Sequence, residues 1–210
     1  MGENQENNGK KFGNDLKIII VGDMSTGKTS IIRRYIDGVF ENTNKATIAP
    51  NFASKIIKTN DVIYRLQFWD IPGQDRNPTL NGLFCHDAQG VIFCCDITNK
   101  KSRDNLKKWY ESVKNFKDIE NTPKILLENK CDLIKEEIND NEDINSLKKV
   151  SDELQCINFF RTSALNGYNI NESIDFLIND IVNSLDSKDI QIYQSFMVKT
   201  TKKEDKTKCC

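Results

Sequence analysis

Net charge is almost missing from this sequence: 30 Lys and Arg stand against 31 Asp and Glu, leaving −1. A nucleic-acid binder usually carries a basic excess, so that class of function is set aside. Long apolar runs are missing too. None approaches the ~20 residues a membrane-spanning helix needs, and the polar start from Met1 to Lys11 lacks the apolar stretch of a secretory signal. Histidine occurs once, at His86, and none of the seven cysteines shows C-x2-C spacing, so zinc has no framework; Cys85 beside His86 offers two ligands at most. The odd cysteine count argues against a closed set of disulfides. Cys94 and Cys95 fall inside an apolar run, where cysteine serves as a small core residue.

What is present suits one α/β domain with short tails. Hydrophobic residues make up 38% of 210, enough for a buried core. Leu16 to Val21 is a short continuous apolar run, as expected of a strand buried on both faces. Gly22 ends it, and a helical pattern follows over Lys28 to Ile36 until Gly38. Residues 41–50 read as a loop. Phe52–Thr59 and Val62–Asp70 read as a hairpin turned at Asn60-Asp61. Pro72 to Asn81 reads as irregular, Gly90–Asp96 as a strand and Ser102–Phe116 as a helix. A strand over Lys124–Glu128 precedes an acidic connection, Asp132–Asn145; a helix at 146–154, a strand at 156–161 and a helix at 169–185 follow. Strands alternating with helices predict a mostly parallel, six-stranded sheet with helices on both faces. The expected layout is a disordered extension at 1–14, the domain at 15–187, and a flexible tail at 188–210.

Three short motifs carry chemistry. Gly22-Asp-Met-Ser-Thr-Gly27-Lys28-Thr29 fits G-x4-G-K-[ST] between a strand and a helix, the setting of a P-loop NTPase fold. Glycines let backbone wrap close to a phosphate, successive N–H groups and the helix N-terminus attract the anion, Lys28 reaches the β- and γ-phosphates, and the Thr29 hydroxyl ligates Mg2+. A chance match in a chain this long is roughly one in a hundred. Asp70-Ile-Pro-Gly73-Gln74 follows about 40 residues later. Asp70, at a strand end, can hold Mg2+ through water. Gly73 offers an unhindered N–H to a γ-phosphate, and Gln74 can orient an attacking water. Alone, D-x-x-G reads as a turn; after a phosphate loop it reads as a site. Asn129-Lys130-Cys131-Asp132 comes third, again after a strand. Guanine presents N1–H and N2–H2 donors that a carboxylate accepts together, and adenine does not, so Asp132 buried against adenine would go unpaired.

In this order and spacing the motifs resemble the Ras superfamily of small GTPases, and further residues narrow the resemblance to the Rab family. Thr47 in Ala46-Thr47-Ile48 resembles the switch I threonine that senses Mg2+ and γ-phosphate. Phe40 matches the aromatic that packs on guanine. Phe52, Trp69 and Phe84 match the Rab aromatic triad beside the switches, and Thr162-Ser163-Ala164 the loop contacting the guanine oxygen. The run Gly27 to Tyr35, with Ala46-Thr-Ile, is similar to the Rabs of lysosome-related organelles. The resemblance implies a nucleotide site drawn from Gly22, Asp23, Ser25, Thr26, Gly27, Lys28, Thr29, Ser30, Phe40, Thr47, Asp70, Gly73, Asn129, Lys130, Asp132, Ser163, Ala164 and Leu165. It implies Mg2+ on Thr29, Thr47 and Asp70, catalysis by Gln74, and double prenylation of Cys209 and Cys210. It further implies GTP/GDP switching on the cytoplasmic face of an intracellular membrane, cycling with the cytosol. The implied partners are an exchange factor, an activating protein, an escort protein and effectors.

The sequence also departs from that family. Ala49-Pro50-Asn51 follows the switch I Thr-Ile where Gly, an apolar residue and Asp are usual. Pro72 precedes Gly73 in place of Ala. Asp75-Arg76-Asn77-Pro78 replaces a Glu-Arg-Phe run. Met24 occupies a position often Gly or Ser, and Leu165 replaces a Lys that flanks the base. Proline fixes its own φ, removes an N–H and restricts its predecessor. These changes read either as neutral drift or as a switch with slow hydrolysis and private effectors; a GTP-binding scaffold with little hydrolysis is the alternative function. A metabolic P-loop kinase is set aside, because no Arg-rich lid or second substrate motif is present.

Overall fold

In the computed structural model, the described residues are 15–41, 47, 49–59, 62–74, 84–114, 116, 119–134 and 141–185. Six strands form one sheet: β1 (Asp15–Val21), β2 (Asn51–Thr59), β3 (Val62–Asp70), β4 (Gly90–Asp96), β5 (Lys124–Asn129) and β6 (Asn158–Arg161). Their order is β2-β3-β1-β4-β5-β6. Only the β2–β3 pair is antiparallel, with Phe52 opposite Trp69 and Thr59 opposite Val62. All other pairings are parallel. Residues 60 and 61, the expected turn, lie outside the described residues, as do 1–14 and 186–210, which include the expected tail.

Side chains alternate across the sheet, so each central strand feeds two cores. On one face Ile18, Ile20 and Cys94 meet Ile31, Ile32 and Tyr35 of α1 (Lys28–Asp37) and Ile174, Leu177 and Ile181 of the helix over 170–185. On the other, Ile19, Val21, Phe93 and Cys95 meet Leu106, Trp109 and Val113. Burying each large apolar side chain contributes about 1.5–3 kcal/mol. Both cysteines are fully buried and free, as expected of core residues.

Two helix expectations need correction. The segment expected as one helix over Ser102–Phe116 is two: α2 (Lys100–Asp104) and α3 (Leu106–Val113). At the break, the Asn105 N–H is shared between the Lys101 and Arg103 carbonyls while its side chain leaves for another loop. The helix expected at 146–154 starts earlier, as α4 (Asn141–Glu153). Its first turn carries Glu142 and Asp143, which suit a helix N-terminus, and Asp143 is drawn in by Arg103 and Arg161. The helix over 170–185 is numbered α5.

Candidate nucleotide-binding site

Parallel strands deliver their following loops to one edge of the sheet. Here β1 leads into 22–27, β3 into 71–74, β5 into 130–134 and β6 into 162–169, all at carboxyl ends and on both sides of β1, where open α/β sheets bind ligands.

The loop after β1 is a cradle of left-handed backbone. Ser25 has φ 63° and Gly27 φ 94°. Alternation of this kind turns successive N–H groups inward, as an anion requires. At Gly27 a side chain is doubly excluded, since a Cβ would fall 2.2 Å from Asn129 Nδ2. The Lys28 ammonium arches over the loop and donates to the Gly22 and Asp23 carbonyls, each at 2.9 Å. Burial lowers its pKa from the ordinary lysine value. Thr26 Oγ1 closes the turn onto Asp23 O at 2.9 Å. Ser30 lies half-buried on the first turn of α1.

Thr29, Thr47 and Asp70 meet at the mouth of the cradle. Their hydroxyls lie 2.9 Å apart, and Thr29 donates to Asp70 Oδ2. The other oxygen, Asp70 Oδ1, is buried without a hydrogen-bond partner among the described residues. Burial raises the Asp70 carboxyl above the usual carboxylate range, opposed by the Thr29 hydrogen bond and the Lys28 charge. A buried oxygen left unpaired costs free energy. Hard oxygen donors at such a corner fit Mg2+, which would satisfy it.

Gly73 presses on the cradle so closely that a Cβ there would lie 2.3 Å from Met24 N. Next to it the exposed Gln74 amide donates to Met24 Sδ at 3.1 Å. The expected stiffening Pro72 is buried behind this contact, and Pro50 stands immediately before the first rung of β2, where it cannot donate. Residues 75–78 lie outside the described residues, as do Ala46 and Ile48.

Asn129 bolts the loop after β6 to the cradle. Its Nδ2 donates to Thr26 O at 2.9 Å and its Oδ1 accepts from Ala164 N at 3.1 Å. Asp132 accepts from Ser163 Oγ. Lys130, left-handed at φ 67°, pairs with Asp96 at 2.7 Å. Leu165 is half-exposed, but its carbonyl and that of Ala164 are held by Arg34 of α1. Phe40 is half-buried at the margin of the α1–α5 core. The aromatic triad is assembled: Phe52 and Trp69 lie 5.4 Å apart, Trp69 and Phe84 5.8 Å.

Sequence reasoning missed Asn105 and Trp109, which hold this site from outside: the Asp23 carboxylate turns away from the cradle and accepts from Asn105 Nδ2 at 2.7 Å and Trp109 Nε1 at 2.9 Å. Arg34 and Asp96 were missed likewise. Their partners are distant in sequence, and no local pattern signals them. A groove of about 440 Å3 between α1, β2 and α5, lined by Lys55, Asp175 and Asn179 among others, stands apart from these loops.

Residues 17–183 match the Ras family. Ras-related protein Rab-32C of Dictyostelium discoideum is 33% identical over 200 residues, 93% of this chain and 88% of the relative. Ras-related protein Rab7 of Pisum sativum is 32% identical over 200 residues, 92% of this chain and 95% of the relative. The chain belongs to the Rab family of small GTPases. As a Rab it is a GTPase and a switch of vesicle traffic, and Ras-family GTPases generally use Mg2+ with the nucleotide. Ras-related protein Rab-32 of Sus scrofa, 30% identical over 201 residues (92% of this chain, 88% of the relative), falls in the same narrow range, so membership is at the level of the Rab family. No helix among the described residues is long and apolar enough to cross a membrane.

Proposed function

We propose that this Rab binds GTP and GDP through the residues gathered above and hydrolyses GTP slowly until a partner assists. The backbone of 22–28 and Lys28 take the phosphates. Asp132, set by Ser163, accepts from the guanine edge, and Ala164 N–H and Lys130 flank the base. Thr29, Thr47 and Asp70 would hold Mg2+, which when bound would supply positive charge against the phosphate oxygens. Gly73 gives its N–H to the γ-phosphate, and Gln74 orients the attacking water. The observation that carries the reading is the meeting of Thr29, Thr47 and Asp70, residues 18 and 41 apart in sequence, at the mouth of the phosphate cradle.

Gln74 is engaged by Met24 rather than free to hold water, which supports slow intrinsic hydrolysis. A partner's arginine is typically worth about 10³–10⁵ in this chemistry. The GTP form would order both switches and recruit effectors through the triad surface, in which Phe52 is 48% exposed. The same Met24–Gln74 contact favours a second reading, a GTP-binding scaffold with little turnover. Competition against a fluorescent GDP analogue tests the binding claim. GTP and GDP should displace it in the presence of Mg2+ and ATP should not; equal displacement by ATP and GTP refutes it.

A further inference from the structure

Directly beneath the base loops lies a ring of four charged side chains that the nucleotide chemistry does not use. Glu128 is the last residue of β5 before Asn129, and its side chain is completely buried. Arg161 ends β6 just before Thr162, and the two face each other across the final rung of the sheet. Arg161 Nε donates to Glu128 Oε2 at 3.1 Å, and Arg103 of α2 donates to Glu128 Oε1. Asp143, in the first turn of α4, closes the ring by accepting from Arg103 Nη1 at 2.8 Å and from Arg161 Nη2. Acid and base alternate around it, so each buried charge has opposite charges on both sides.

Such a ring is a poor source of net stability, because desolvating the ions offsets most of their attraction and apolar side chains of similar volume often do as well. Its value is geometric. β6 is a four-residue edge strand that, among the described residues, pairs only with β5. Beyond the Glu128–Arg161 rung, Thr162 N–H still reaches Glu128 O at 2.9 Å and Cys131 N–H reaches Thr162 O at 3.1 Å. The chains then part, after Asn129, into the loop carrying Asp132 and the loop carrying Ser163 and Ala164. Whatever fixes that rung fixes the spacing between the two.

We propose that the Glu128–Arg161 pair, braced by Arg103 and Asp143, is a positioning device for guanine selection. It holds the Asp132 and Ala164 loops at the separation that the guanine edge requires, and ties that separation to α4. The proposal rests on the reading of these loops as the base site.

The test compares GDP with IDP, which lacks the exocyclic amine that would donate to Asp132. Glu128→Gln and Arg161→Met, made in the full chain, should weaken GDP about tenfold and IDP much less, shrinking the preference for GDP at least about threefold. Arg161→Lys, which keeps the charge, should retain most of the preference. The acceleration of GDP release by EDTA should stay unchanged, because the metal corner is separate. A merely structural ring would lower thermal stability and weaken both nucleotides alike, and that result overturns the proposal. So does a parent-like preference, within about twofold, in the folded variants. If neither charge-removing variant folds, Asp143→Asn at the half-exposed side of the ring decides: a loss of about two- to threefold supports the proposal, and no change overturns it. A parent that does not distinguish GDP from ATP overturns the nucleotide reading and this proposal together; a discriminating parent with unchanged variants overturns this proposal alone.

Discussion

Single side chains at this site are set by neighbours that limit what each can do. Asp132 is oriented by Ser163, so its carboxylate has one productive direction. Asp132→Asn turns one acceptor into a donor. The variant should therefore lose GDP by about 10²-fold or more and gain xanthosine diphosphate, which carries an acceptor where guanine has its amine. Competition binding with both nucleotides checks this, and unchanged GDP affinity would remove Asp132 from the base site. Gln74 has a different constraint, a sulfur contact to Met24. Gln74→Leu should slow single-turnover hydrolysis by on the order of tenfold, about 1.4 kcal/mol of transition-state stabilisation. Met24→Ala frees the amide and should raise the rate. If both variants turn over like the parent, Gln74 is not catalytic and the scaffold reading gains.

At the scale of elements, the phosphate cradle is held from outside itself. Asp23 ties it to Asn105 and Trp109 at the α2–α3 break, and Asn129 ties it to the end of β5. Trp109→Phe keeps most of the aromatic volume in the core but removes an N–H donated to a carboxylate. A hydrogen bond to a charged group is worth roughly 1.5–3 kcal/mol. For a domain this size each kcal/mol shifts Tm by about 2–4 °C. The variant should melt correspondingly lower and release GDP faster, since the loop it loosens carries the N–H groups proposed to bind the phosphates. Thermal unfolding with and without GDP measures both. Unaltered melting together with unaltered release would show that the tie does nothing for the cradle.

The whole molecule joins this switch to a membrane claim that lies outside the described residues. Cys209 and Cys210 are proposed to carry two prenyl groups. They are preceded by residues 196–208, whose five lysines against Glu204 and Asp205 leave a side-chain charge of +3. One myristoyl-sized chain gives only marginal membrane binding, whereas two lipid signals anchor stably, and a modest positive charge adds attraction to anionic lipid. In fractionated cells the parent should divide between membrane and cytosol, and the Cys209→Ser, Cys210→Ser double variant should be cytosolic. If the two distribute alike, the anchoring claim fails whatever the nucleotide data show.

Much of this was written in local sequence. The both-faces burial of Ile18 to Val21, the cradle from Gly22 to Thr29, and the strand-end positions of Asp70 and Asn129 follow from short-range pattern: continuous apolar runs, glycine where backbone must turn or approach closely, polar residues just past a strand. Local pattern acts over a few residues, and these features need no more. Only the tertiary structure decided what crosses between elements. It split Ser102–Phe116 at Asn105, because that side chain bonds a loop 82 residues away. It began α4 at Asn141, where Asp143 meets Arg103 and Arg161 from α2 and β6. It closed the ring on Glu128, a residue that local pattern read only as the end of a strand. Such contacts depend on which strands the chain sets side by side, and the sheet order that does so places β1 between β3 and β4, and β6 beside β5.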